Sequence, residues 1–88
     1  MYGNACNLNN LVNLLKNRNI KIIEDAAESL GTKIIKGKYN LRHTGTIGEV
    51  GIFSFNANKI ITSGSGGMIV TNKSSIANRA YLISNQAK

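Results

Sequence analysis

The sequence is poor in the residues that mark several large classes of protein. Cys6 is its single cysteine, which excludes an internal disulfide framework and a cysteine-built zinc cage. Proline is absent, and no low-complexity tract or internal repeat marks a linker or a repeat array. Tryptophan is absent too, and three tyrosines with two phenylalanines leave little material for base-stacking platforms. No stretch approaches the roughly 20 apolar residues that span a bilayer. The opening Met1-Tyr2-Gly3-Asn4-Ala5-Cys6 has neither the basic start nor the apolar run of a secretory signal. The expectation is therefore a cytoplasmic polypeptide.

Acidic residues are also scarce. Four acids stand against eleven lysines and arginines, giving a formal charge of +7. Such a balance raises the question of a nucleic-acid or membrane-surface partner. The cations are scattered, however, and the densest stretch, Lys33 to Arg42 with Tyr39 inside it, has no strict pattern. That spacing argues against nucleic acid. The alternative is that the chain is a piece of something larger whose other residues balance the charge. Within 88 residues, 42% hydrophobic and 17% charged, there is room for one small domain at most and enough apolar material for a core.

Apolar residues at Leu8, Leu11, Val12, Leu14 and Leu15 fall on one stripe of a helix running to Arg18, with Asn7 as its N-cap. Ile20 to Glu24 is short, β-branched and mostly apolar, as a strand should be. A helix feeding directly into such a strand suggests a covered, parallel sheet. Ala26 to Leu30 reads as a helical turn closed by Gly31, and Thr32 to Ile35 as a short strand. Val50–Phe55 and Gly67–Thr71 read as further strands, and a last helix starts at Ser74 or Ser75. The order helix, strand, loops, strands, helix is α/β architecture. About two helices cannot cover both faces of such a sheet, so the chain looks like the middle of a domain.

Three segments carry candidate chemistry: Glu24-Asp25-Ala26-Ala27-Glu28, Phe53-Ser54-Phe55-Asn56-Ala57-Asn58-Lys59, and Ser63-Gly64-Ser65-Gly66-Gly67. Singly, each has a modest explanation: an acid that caps a helix, a solvated lysine, a tight glycine turn. The glycines match neither a P-loop nor a dinucleotide fingerprint. Taken in order they say more. Ligands of α/β sheets bind outside the carboxyl ends of strands, and Asp25 and Lys59 both follow apolar strands. An acid and a lysine converging there suit pyridoxal phosphate, whose aldehyde condenses with an amine and whose ring nitrogen takes a carboxylate partner. Glu24 is less suitable than Asp25, because it would point away from the strand rather than stand at its end.

These residues resemble a known family. Ile23 to Gly31, His43-Thr44-Gly45-Thr46-Ile47-Gly48, Phe53 to Thr62 and Gly66 to Thr71 are similar, in that order, to blocks of the DegT/StrS-type sugar aminotransferases. The Asn-rich lysine loop and the segment Ala80 to Lys88 are most similar to the branch serving bacillosamine- and legionaminic-acid-type sugars. The resemblance implies a fold-type-I, pyridoxal-phosphate enzyme that aminates nucleotide-linked 4-ketosugars, with glutamate as the expected donor, in sugar biosynthesis for glycans.

Carried onto matching positions, the resemblance makes Lys59 the Schiff-base lysine and proton shuttle, and Asp25 the partner of the pyridine nitrogen. Glu28 takes the position beside the cofactor ring, and Ser54 supplies a hydroxyl for the cofactor phosphate. Asn58 helps shape the site, His43 receives no role, and no metal set is assigned. Residues 1–88 would form part of a pyridoxal-phosphate-binding large domain, without the small C-terminal domain. The full enzyme would be a homodimer, and this segment alone would be inactive. Two other readings stay open: a small basic binding module, and an inactive truncated remnant.

Overall fold

The computed structural model describes residues 2–86, and its order of elements is α1 (Leu8–Leu15), β1 (Ile23–Asp25), β2 (Val50–Ser54), β3 (Gly67–Val70) and α2 (Ser74–Gln86). Helix α1 forms where the apolar stripe lies and ends with it at Leu15. Lys16 to Asn19 make turns, with the Arg18 N–H bonded to the Leu15 carbonyl and Asn19 in the left-handed region at φ 51°. Asparagine tolerates that conformation and commonly closes helices. Asn7 holds the N-cap position without a side-chain cap bond.

The three strands form one sheet with β2 in the centre. β1 and β2 run parallel, with Ile23 opposite Val50 and Asp25 opposite Ile52. β3 returns antiparallel to β2, pairing Gly51 with Val70 and Ser54 with Gly67. The sheet is therefore mixed, which corrects the expectation of a parallel one. The reason is the connection: the Phe55 N–H bonds the Gly66 carbonyl, so the loop after β2 folds back on itself and leads straight into β3 alongside, without the crossover over a face of the sheet that a parallel return requires.

Ala26 to Leu30 makes turns, as its sequence suggests, with Ser29 N–H on the Ala26 carbonyl and Thr32 N–H on that of Ser29. One smaller expectation changes. Thr32 to Ile35 contributes a single antiparallel bridge, Lys33 to His43, instead of a strand. The interior is small. Leu8, Ile34 and Tyr39 cluster with Val12 and Ile47 packed beside them, while Ala26 and Phe53 are buried nearer the sheet. α2 buries no residue. Among the described residues no helix is long and apolar enough to cross a membrane.

Candidate active site

The site is built at the carboxyl end of β2. Beyond Ser54 the chain folds back on Phe55, whose N–H bonds the Gly66 carbonyl and whose own carbonyl accepts from the Ser63 N–H and the Thr62 hydroxyl. This closure fixes the start of the loop that carries Lys59, and the Lys59 N–H bonds back to the Asn56 carbonyl at 3.0 Å. Ser54 Oγ accepts from the Asn56 N–H at 3.3 Å. A cleft of about 320 Å³ opens here, lined by Ala27, Glu28, Ser54, Asn58 and Lys59 among others.

Lys59 does not reach into water as a loop lysine ordinarily does. Its side chain is 13% exposed and its amine is paired with the Glu28 carboxylate. The fold thus brings together Lys59, Glu28, Ser54 and Asn58 from segments about 30 residues apart, as the wall of an α/β sheet's ligand crevice would require.

Asp25 sits differently. It ends β1, and its Oδ1 accepts from the Ala27 N–H at 3.1 Å. That is the capping bond of a short polar side chain two residues back. Asp25 lines a neighbouring cavity of about 290 Å³, with Leu8, Ile22 and Thr44, rather than the Lys59 cleft. The link between the two is the Ala26–Glu28 turn: Asp25 holds its second residue, and Ala27 and Glu28 form a wall of the cleft.

Two residues have more work than their sequence context announced. The Glu24 carboxylate turns toward the following loop and accepts three backbone N–H groups: Gly45 at 2.9 Å, Ile47 at 2.6 Å and Gly48 at 2.6 Å. The sequence signal was a strand carboxylate followed by a loop with glycines at 45 and 48, which leave the backbone open to a carboxylate. His43 accepts the Gly31 N–H on Nε2 at 2.6 Å, so the proton lies on Nδ1, 2.6 Å from the Thr44 carbonyl. Its ring meets Phe53 edge-on with centroids 5.6 Å apart. His43 is a structural histidine.

The loop from His43 to Gly48 presses directly on the sheet. A Cβ on Gly51 would stand 1.9 Å from the Gly45 carbonyl oxygen, and one on Gly45 would stand 2.7 Å from the Phe53 ring. At Gly51 backbone therefore lies on backbone, and at Gly45 a positive φ of 80° and the Phe53 ring together favour glycine. Thr44 locks the other side of the loop, donating to the Ser29 carbonyl at 2.8 Å and accepting the Ser29 hydroxyl at 2.9 Å.

Comparison with known proteins finds relatives both in sequence and in structure. GDP-perosamine synthase of Escherichia coli O157:H7 is 47% identical over 79 residues, covering 90% of this chain and 20% of the relative. The putative pyridoxal phosphate-dependent aminotransferase EpsN of Bacillus subtilis is 44% identical over all 88 residues, 21% of its own length. In structure, the aminotransferase TlmJ of Streptoalloteichus hindustanus matches 94% of this chain and 22% of its own at a TM-score of 0.74 and 31% identity. GDP-4-keto-6-deoxymannose-3-dehydratase (ColD) with bound GDP-perosamine matches at the same TM-score with 30% identity, over 94% of this chain and 19% of that one. The chain spans about a fifth of the length of the curated relatives it matches. The profile of one family covers residues 1–88, and with it the chain belongs to the DegT/DnrJ/EryC1/StrS aminotransferase family.

Proposed function

We propose that this chain carries the cofactor lysine of a pyridoxal-phosphate-dependent aminotransferase acting on nucleotide-linked 4-ketosugars. The reading places residues 1–88 in the large domain of a cytoplasmic, homodimeric enzyme whose amino donor is glutamate. One observation supports it above the others: Lys59 is drawn out of solvent into a cleft shared with Glu28, Ser54 and Asn58. The names of the relatives supply the substrate class, since perosamine synthases and other sugar transaminases recur among them.

The residues present fit the cofactor. A cleft of about 320 Å³ lies within the range of small-molecule sites, roughly 300–1,000 Å³. It offers a nucleophilic amine, a hydroxyl and a carboxylate at the carboxyl edge of a sheet. Pyridoxal phosphate, when bound, supplies the electron sink that stabilises a substrate carbanion. In this reading Lys59 Nζ is the point of covalent attachment and the group that carries a proton at the substrate carbon. Ser54 Oγ would hold the phosphate, Glu28 would stand beside the ring, and Asp25, at the end of β1 in the adjoining cavity, would partner the ring nitrogen. For attachment to occur the Lys59–Glu28 pair must open. That pair is half exposed on its carboxylate side, with Glu28 at 53%, so water can replace the lysine on Glu28.

The test is reduction with borohydride after exposure of the chain to pyridoxal phosphate, followed by peptide mapping. Wild type is expected to carry the pyridoxyl group on Lys59 well above the exposed Lys33 and Lys36, and Lys59→Ala to lose that selective label. Equal labelling of all three lysines in the wild type would sink the assignment.

A further inference from the structure

Outside the cleft, the Glu24 carboxylate stands out for accepting three backbone N–H groups of one loop. We propose that Glu24 is a positioning residue for Lys59, acting through the His43–Gly48 loop and the turn that carries Glu28; the inference rests on the reading of Lys59 as the cofactor lysine. Each link is a hydrogen bond or a packing contact in the structure. The carboxylate gathers the N–H groups of Gly45, Ile47 and Gly48. The loop so held presents Thr44, which bonds Ser29 through both hydroxyls and through the Ser29 carbonyl. Its N–H also bonds the Thr32 carbonyl at 3.0 Å. Ser29 and Thr32 close the turn that begins at Ala26 and bears Glu28. Ala27 and Glu28 on that turn wall the cleft that Lys59 lines, so a loosened turn deforms the cofactor site even though the Lys59–Glu28 pair itself parts for attachment.

The first link carries the weight. Hydrogen bonds from neutral N–H groups to a carboxylate are about twice as strong as those between neutral partners, and here both oxygens are used. An amide in the same place keeps one acceptor oxygen and turns an NH₂ donor toward the remaining N–H groups. The loop would be released on that side, although the side chain is almost unchanged in size. Glu24 and Asp25, adjacent in one strand, thereby divide the work: Glu24 braces the loop from below, and Asp25 caps the turn from its other end.

The experiment compares wild type, Glu24→Gln, Thr44→Val and Glu49→Gln. The last lies in an ion-pair group away from the loop's contacts with Ser29. Backbone amide exchange and the rate of borohydride-trapped pyridoxal-phosphate capture at Lys59 are measured at a temperature where each chain is folded. Glu24→Gln and Thr44→Val are each expected to slow capture about tenfold and to speed exchange at Ser29 and Thr32. Glu49→Gln should leave capture within about twofold. Faster exchange in Glu24→Gln confined to residues 45–48, or Lys59 capture at the wild-type rate in either loop variant, overturns the proposal. If Glu24→Gln fails to fold, Thr44→Val decides by the same two readouts. A wild type that takes no label at Lys59 refutes the cofactor reading, and the exchange pattern still judges the link from Glu24 to Ser29.

Discussion

At the scale of single residues, the molecule is decided by a few positions where backbone meets backbone or a polar side chain has no spare partner. Gly51 is the sharpest. Alanine there would drive its methyl group into the Gly45 carbonyl, and overpacking of this kind costs about 3 kcal/mol or more when the clash is with main chain. Gly51→Ala is expected to lose the sheet signal in circular dichroism or to melt far below wild type. His43 gives a milder case: His43→Ala removes the acceptor for the Gly31 N–H and the edge contact with Phe53. A net hydrogen bond and an aromatic edge contact are each worth about 1 kcal/mol, so denaturant titration should show a loss of about 1–2 kcal/mol. Asp25 and Lys59 were legible in the sequence as residues that follow apolar strands. Glu24 was not, because its role depends on where a loop some twenty residues later comes to rest.

Among elements, the clearest device is the ion-pair group at the start of β2. Glu49 stands just before Val50 and takes Lys21, ahead of β1, at 3.1 Å and Lys73, ahead of α2, at 3.0 Å. Bonds from Lys73 and then Lys21 hold its carboxyl below the ordinary value of 4.5. A carboxyl depressed in the folded state stabilises fully above its unfolded value, and that contribution fades as pH falls through the lower, folded one. The melting temperatures of wild type and Glu49→Gln should therefore differ at neutral pH and converge as pH drops below about 4.5. A gap that persists unchanged into acid would exclude the ion pairs as its cause. The helices differ as strongly. Leu8 of α1 is buried in the main cluster, so Leu8→Ala should cost about 2–4 kcal/mol. Leu82 and Ile83 of α2 are half exposed, and Leu82→Ser should shift stability by less than about 0.5 kcal/mol. Element types were readable from periodicity in both helices. The direction of β3 was not, because Gly67 to Val70 reads alike in either orientation, and only the closure of the loop between Phe55 and Gly66 settles it.

For the whole molecule, surface is the governing quantity. The structure exposes 6727 Å², whereas a compact protein of this mass would expose about 5,000 Å². It is a slab, 39 × 30 × 17 Å, with a radius of gyration of 14.1 Å against about 12 Å for a compact chain of this length. Among the described residues no large side chain falls below 2% exposure. With so little apolar burial, the 88 residues by themselves should unfold at a low denaturant midpoint. A midpoint as high as that of a well-packed domain would contradict that expectation. The same deficit leads us to expect no turnover from these residues alone: the coupled absorbance assay with glutamate and a nucleotide-linked 4-ketosugar should read at background. The sequence by itself determined the α/β order of elements, the family and the candidate cluster, because periodicity, turn residues and short ordered blocks are local properties of the chain. Tertiary structure alone decided that Glu28 meets Lys59, that Asp25 keeps to the adjoining cavity, and that Glu24 gathers a loop. Those are contacts between segments far apart in sequence, and their geometry is set by strand register and close backbone packing rather than by any residue's neighbours in the chain.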